Sequence, residues 1–343
     1  MMAIENAFPD RMDPVLDLLN QRPRENWQWR FEPEAGGHSP INALALGNVA
    51  LLTYSDQSGI RHFLEKWHLS EVCLLRGFDT QGFIARQDNV IIIAFRGTEP
   101  INADDWLSDI NYHQRKLLPS VPGLVHGGFA VAIAEVMQAM LDAVAGVMRG
   151  EMPRIFITGH SLGGALAVLA AAALHFEADR RISGVYTYGQ PRVGDVEFSK
   201  AFDNKLGGVT FRYVNDLDIV PHLPPAQLLG RPQLRAPASV TAFLRTIENA
   251  PHEVKEAVEA VAAGEKFAHV GQLKLFLSDG SLTRDEAQWQ QRELIYSDTL
   301  TNLLHNFSSL LRAKLGEVLH AKGRILDHDP LRGYLPKLEA QVR

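Results

Sequence analysis

The sequence is poor in cysteine, in clustered basic residues and in long apolar segments, and each shortage excludes a class of protein. A single cysteine, Cys73, among 343 residues cannot form an internal disulfide, so no oxidising compartment is implied. Basic residues number 34 against 40 acidic ones, for a formal charge of -6, and they form no long run. Electrostatics therefore give little reason to expect a nucleic-acid partner.

The amino terminus also lacks the pattern of a secretory leader. Acids and prolines interrupt MMAIENAFPDRMDPVLDLL, where a leader needs a basic start and a continuous apolar core. The most apolar windows, 90–95 and 166–174, are shorter or more alanine-rich than the about 20 apolar residues that cross a bilayer. We expect a soluble protein without a transmembrane segment, placed in the cytoplasm, with leaderless export as the alternative.

The chain is long enough for one large domain or two ordinary ones, at roughly 100 to 200 residues per domain. Residues 1–39 show little periodicity and are assigned to an N-terminal extension. Beyond them, β-branched apolar runs typical of buried strands alternate with helical patterns up to about residue 214. The expected strands are 71–75, 83–86, 89–96, 154–158, 182–188 and 210–214, and the expected helices are 43–51, 129–148 and 162–176. This alternation predicts an α/β fold with a mostly parallel sheet and helices on both faces.

After residue 225 the alternation ends. Residues 227–324 are predicted to be mostly helical, with helices at 251–263, 284–296 and 299–322. We interpret this stretch as a helical insertion or cap within a hydrolase domain of residues 40–343, because candidate catalytic residues lie on both sides of it.

The pentapeptide GHSLG at 159–163 lies between a predicted strand and an alanine-rich helix. A serine on such a sharp turn projects its hydroxyl outward, and Gly159 and Gly163 leave room for the chain to fold back. The helix start directs its N–H groups, including that of Leu162, toward an oxyanion beside the serine. The context predicts Ser161 as a nucleophile, and a chance glycine-rich turn is the alternative.

Five runs in this order resemble the class 3 lipases, an α/β-hydrolase family of fungal triacylglycerol lipases and their bacterial and plant relatives. They are AFRGTEPINADDWLSDI from Ala94, VHGGFAVA from Val125, ITGHSLGGALAVLAA from Ile157, YTYGQPRVGD from Tyr186 and YVNDLDIVPHLPP from Tyr213. The ordered series is far more specific than the pentapeptide alone. The resemblance implies a bacterial-type member with an α/β-hydrolase fold and a Ser-His-Asp triad.

A serine hydroxyl needs a general base and an acid that orients the base, and in α/β-hydrolases the acid and then the histidine follow the serine. Asp216 and Asp218 both follow a predicted buried strand. The resemblance selects Asp218, which directly precedes IVP, and leaves Asp216 as a turn residue. For the base, His269 matches an H-x-G segment of the family. His328 matches its later D-H-x-x-Y/F-like segment with a longer spacing to Tyr334, so the resemblance implies His328 and leaves His269 a supporting role.

The same resemblance assigns Thr98 as the second oxyanion-hole donor beside Leu162, with a simple turn residue as the alternative. It also matches INADDWLSD, residues 101–109, to the family's lid. The apolar side chains of a lid cover the serine in water and turn outward onto a lipid interface. A plain surface helix is the alternative reading of this segment.

Together these residues predict a carboxylic ester hydrolase, most specifically a triacylglycerol lipase that forms an acyl-enzyme at a lipid–water interface. Phospholipase A1, short-chain esterase and feruloyl esterase share the same machinery. A serine peptidase or a catalytically inactive, lipase-like binding protein would be the alternatives from other classes. We expect neither a metal nor an organic cofactor, since no short ligand spacing such as H-E-x-x-H is present. The oligomeric state is left open.

Overall fold

The computed structural model describes residues 22–78, 80–97, 113–148, 152–215, 218, 220–224, 267–290, 292 and 333–342. Several predicted features lie outside these residues. They are Thr98, Asp216, His328, the lid segment 101–109, residues 1–21 and most of the predicted helical insertion.

A mostly parallel sheet forms the centre of the described fold. Its strands are β1 Ser70–Arg76, β2 Gln81–Gln87, β3 Val90–Phe95, β6 Arg154–His160, β7 Ile182–Tyr188, β8 Thr210–Asn215, β9 Gln272–Phe276 and β10 Leu282–Thr283. The strand order is β1-β2-β3-β6-β7-β8-β9-β10, parallel from β3 to β9 and antiparallel at both edges. Strands β4 Gln114–Arg115 and β5 Val125–His126 form a separate pair. The predicted fold class is confirmed.

Helices cover both faces of this sheet. They are α1 Pro40–Leu52, α2 Gln57–Lys66, α3 Gly127–Val147, α4 Leu162–Phe176, α5 Val196–Leu206 and α6 Leu335–Ala340. One apolar layer joins the sheet to α3, α4 and α5, and the other joins it to α1, α2 and α6. The hydrophobic pattern predicts α1, α3 and α4 but misses α2 and α5. Both missed helices begin at an aspartate cap, because Asp56 accepts from Gly59 N at 2.7 Å and Asp195 from Phe198 N at 2.7 Å.

The described part of the N-terminal extension packs onto the domain. The ring of Trp27 meets that of Trp67 edge-on at 5.1 Å, and Phe31 meets Phe156 of β6 in the same way at 4.8 Å. Aromatic pairs of this kind bury large apolar surfaces in well-defined geometry. Residues 22–39 therefore belong to the packed fold, although their sequence shows no regular period.

The stretch 272–283 differs from the prediction of a mostly helical insertion. Here β9 adds to the sheet in parallel with β8, in a register that pairs Tyr213 with Lys274, and β10 turns back against β9. The helices predicted in the insertion, 251–263, 284–296 and 299–322, leave this stretch uncovered, and the prediction included no strand here. Residues 273–276 of β9 are all buried, as in a strand that is covered on both faces, so the sequence shows no alternation of apolar and polar residues.

By length and hydropathy alone, α3 is the one helix in the described part of the chain that could cross a membrane. Its side chains Ile133, Met140 and Val144 are buried in the apolar layer shared with α4. Packing in this layer accounts for one apolar face of α3.

Candidate active site

Ser161 occupies the turn between β6 and α4 in a conformation that non-glycine residues rarely adopt. Its φ of 57° and ψ of -128° lie outside the regions favoured by L-amino acids. The surrounding backbone holds it there, because Ser161 N donates to Tyr188 O at 2.9 Å and Gly164 N donates to Ser161 O at 2.9 Å. The residue is 4% exposed, at the carboxyl end of a central parallel strand.

The glycines on either side of Ser161 are required by close backbone contacts. A Cβ atom at Gly159 would overlap the Gly163 backbone, and one at Gly163 would overlap the carbonyl oxygen of Phe95 at the end of β3. The predicted reason for both glycines is confirmed. The first turn of α4 therefore lies directly against the sheet, and its first N–H groups precede the regular backbone hydrogen bonds of the helix. That of Leu162 is the first of them.

The segment after β3 also lies against the serine. A Cβ atom at Gly97 would come within 2.6 Å of the His160 carbonyl oxygen and 3.2 Å of Ser161 Cβ. This contact brings the end of β3 beside the turn that carries the serine. Thr98, the next residue along, lies outside the described residues.

Asp218 is fully buried and has defined partners on both carboxylate oxygens. Oδ1 accepts from Val220 N at 2.9 Å, and Oδ2 accepts from the Tyr334 hydroxyl at 2.5 Å. The residue follows β8, two strands from β6 at the same edge of the sheet. Because neighbouring strands are about 4.8 Å apart, the serine and this carboxylate need a third group to connect them. His328, assigned to that place by resemblance, lies outside the described residues.

Tyr334 supports the acid in a way that the sequence pattern did not reveal. Its ring is 1% exposed, and its hydroxyl accepts from Asn215 N at 3.1 Å while it donates to Asp218. Lys337 fixes the same helix start by donating to the Leu277 carbonyl at 3.2 Å. The sequence did contain a signal for Tyr334, because this residue is the tyrosine of the D-H-x-x-Y/F-like segment. The resemblance assigned no role to it.

The turn after Asp218 is held from two sides by buried polar groups. Arg192, 2% exposed, donates to the carbonyls of His222 and Pro224 at 2.5 and 2.7 Å. His269 Nε2 donates to the Pro221 carbonyl at 2.7 Å. Desolvation of the ring, with Arg212 and Arg192 nearby, holds the pKa of His269 well below its usual value. A neutral His269 ring that donates to a backbone carbonyl is consistent with a residue that supports the turn after Asp218.

His160 directly precedes Ser161 but faces another neighbour. It is 1% exposed, and its Nδ1 lies 2.9 Å from the Tyr54 hydroxyl. Its ring also meets that of Tyr334 edge-on at 5.9 Å. These contacts tie the end of β6 to the residues that follow α1.

A family model settles the relationship that the motifs indicated. Residues 92–228 match the model described as Lipase (class 3), a range that begins within β3 and contains both Ser161 and Asp218. Over this range the chain is similar to the class 3 lipases.

Three relatives illustrate how far the chain resembles known proteins. A lipase from Rhizomucor miehei is 37% identical over 157 residues, which cover 43% of this chain and 42% of the relative. Triacylglycerol lipase OBL1 of Arabidopsis thaliana is 33% identical over 230 residues, 53% of this chain and 43% of its own length. Secreted mono- and diacylglycerol lipase 1 of Fusarium solani is 38% identical over 137 residues, 39% of each chain. Each match thus spans about two fifths of the relative's length.

A solved structure agrees with the fold of this chain. A triacylglycerol lipase whose catalytic centre is described as a serine protease triad superposes with a TM-score of 0.52 at 25% identity. The superposition covers 71% of this chain and 82% of that lipase. The α/β-hydrolase architecture is therefore shared.

Proposed function

We propose that this protein hydrolyses carboxylic esters, and specifically the acyl esters of glycerolipids, through an acyl-enzyme on Ser161. The observation that carries the proposal is the strained turn of Ser161, with the buried carboxylate of Asp218 at the same edge of the sheet. The substrate class is supported by the names of its relatives, which act on triacylglycerols or on mono- and diacylglycerols.

In the proposed mechanism His328 accepts the proton of Ser161 as the serine oxygen attacks the ester carbonyl. The N–H groups of Leu162 and Thr98 donate to the tetrahedral oxyanion, and His328 then protonates the departing alcohol. Water repeats the sequence on the acyl-enzyme and releases the acid. Asp218 fixes the orientation of the imidazole and stabilises its charged form.

We also propose that the enzyme works at a lipid–water interface, with residues 101–109 as its lid. The interface would be reached outside the cell, the second of the two locations considered above, because two relatives are named as secreted lipases. A lid of this kind makes the rate depend on the physical state of the substrate.

Esters of graded chain length test this proposal. We expect p-nitrophenyl esters from acetate to palmitate to be hydrolysed, with a jump in rate once the longer esters exceed their solubility and form droplets. Initial rates measured below and above that limit report the jump. Smooth saturation with the short esters alone would mean a simple esterase without a lid, and the absence of ester hydrolysis by the folded protein would contradict the proposal itself.

Tyr334→Phe should lower kcat by about 10- to 100-fold, because a hydrogen bond to a charged group contributes about 1.5 to 3 kcal/mol. The lost donor is the one that reaches Asp218 Oδ2. The measurement is kcat and KM on a soluble ester, and KM is expected to change little. Tyr188→Phe is the matched control, since the hydroxyl of this buried tyrosine donates to the Ala43 carbonyl instead. An equal fall in kcat for both variants would leave Tyr334 with a purely structural role.

A further inference from the structure

A cavity of about 740 Å³ opens at the carboxyl ends of β1 and β3 and the amino end of β2. The strand register places the cavity at the same end of the strands as Ser161. In that register Arg76 pairs with Gln81, Gly82 with Phe95, and Phe95 with Gly159. The ends of β1 and β6 are three strand spacings apart, or about 14 Å. The cavity is therefore a neighbour of the active site and not part of it.

Tyr54 and Arg96 lie between the cavity and the candidate active site. Tyr54 lines the cavity and also contacts His160, the residue before Ser161. Arg96 lines it as well, and the next residue, Gly97, lies against Ser161. A molecule bound in the cavity would thus be held beside the candidate nucleophile.

The cavity has the charge expected of an anion site. Among its described lining residues are three arginines, Arg22, Arg76 and Arg96, and one carboxylate, Asp56. Asp56 is already engaged, since it caps α2 by accepting from Gly59 N and Ser58 Oγ at 2.7 and 2.9 Å. Arg76 donates to the neutral amide oxygen of Gln57 at 2.9 Å, and no carboxylate of the described residues pairs with it. These arginines make the cavity positively charged, whereas the whole chain has a formal charge of -6.

An exposed aromatic ring lies next to this positive charge. Phe78 is 93% exposed in the turn between β1 and β2, directly after Gly77, which lines the cavity. The nearest described acid, Glu135, accepts from Thr80 N in the same turn at 3.1 Å. Phenylalanine side chains of proteins that bind a membrane surface enter the boundary between headgroups and acyl chains, while arginines form strong paired hydrogen bonds with phosphates.

We propose that Phe78 and the arginine-lined cavity form a docking surface for a bilayer that contains anionic phospholipid. The guanidinium groups bind headgroup phosphates, and Phe78 enters the boundary between headgroups and acyl chains. An acyl chain is a poor occupant of the cavity, since it would take the arginines out of water without offering them an acceptor. The inference rests on the proposed function, because docking at this edge brings Ser161 to its substrate.

Binding to vesicles tests the docking surface separately from catalysis. Ser161→Ala protein, which is expected to leave the lipid intact, is sedimented with vesicles of phosphatidylcholine alone or mixed with phosphatidylglycerol. We expect much stronger binding to the anionic vesicles, and weaker binding as salt is raised. In this background Arg76→Gln should weaken binding by about 5-fold. Phe78→Ala should weaken it by about tenfold.

Residues at the amino ends of the parallel strands provide matched controls. Arg181 precedes β7 and is exposed, and Met152 precedes β6 and is 83% exposed, so Arg181→Gln and Met152→Ala should leave vesicle binding unchanged. With Ser161 restored, Arg76→Gln and Phe78→Ala should hydrolyse soluble p-nitrophenyl butyrate at the wild-type rate. Equal binding to both kinds of vesicle, or equal losses in Arg76→Gln and Arg181→Gln, would overturn the inference. A wild-type protein that fails on the soluble ester would contradict the proposed function, while the sedimentation result would still decide the docking surface.

Discussion

Ser161→Ala is expected to lower kcat for p-nitrophenyl butyrate by about a million-fold. The change removes the atom that forms the acyl-enzyme, and only oxyanion stabilisation and substrate binding remain. The backbone should keep its shape, because the hydrogen bonds that hold φ at 57° involve main-chain atoms of Ser161, Tyr188 and Gly164. The measurement is kcat on the soluble ester, together with mass spectrometry after treatment with an organophosphonate.

The same experiment separates an enzyme from an inactive, lipase-like binding protein. Wild-type protein should gain the mass of one phosphonyl group on the peptide that contains Ser161, and Ser161→Ala should gain none. Ser120→Ala serves as the control, since its exposed hydroxyl donates only to Glu177 at 2.6 Å. Full activity in Ser161→Ala would refute the proposed nucleophile, and unlabelled but folded wild-type protein would favour the binding protein. A comparison of the rates on matched ester and amide substrates would distinguish an esterase from a peptidase.

His328→Ala should be as damaging as the loss of the serine, at about a million-fold in kcat, because the nucleophile and its base act as a unit. The double variant Ser161→Ala with His328→Ala should therefore be no slower than either single variant. The measurement is kcat on the soluble ester for all three proteins. A double variant that is slower by the product of both factors would mean that the two residues act independently.

The competing histidine supplies the control for this assignment. His269→Ala should lose no more than about tenfold in kcat, since the ring supports the turn after Asp218 through one hydrogen bond to Pro221. Its low pKa also makes it a poor proton acceptor near neutral pH. Retained activity in His328→Ala with a large loss in His269→Ala would move the role of base to His269.

Local patterns in the sequence predicted the centre of the fold well. The run 90–95 is fully apolar and mostly β-branched, as suits the fully buried strand β3, and GHSLG stands where backbone contacts exclude larger residues at Gly159 and Gly163. Helices α2 and α5 were missed because few of their residues are apolar, with only three buried residues in α2 and four in α5. Strand β9 was not predicted because it spans five residues and is buried on both faces, so its sequence shows no alternation.

The environment of the acid could not be predicted in the same way. The hydroxyl of Tyr334 reaches Asp218 across 116 residues of sequence, and Arg192 reaches Pro224 across 32. Contacts between positions so far apart leave no periodic trace in the chain. Only the resemblance pointed to these segments, and it named neither side chain as a partner of the turn that carries the acid.

The long reach between Tyr334 and Asp218 has a consequence for how the protein matures in the cell. A ribosome that has passed residue 218 has already produced the turn of Ser161 and the carboxylate of Asp218, yet the hydroxyl of Tyr334 is still untranslated. Domains assemble during synthesis from the amino-terminal side. The surroundings of Asp218 in a nascent chain therefore stay incomplete until translation has passed residue 334, and the proposed ester hydrolysis has to wait for that step.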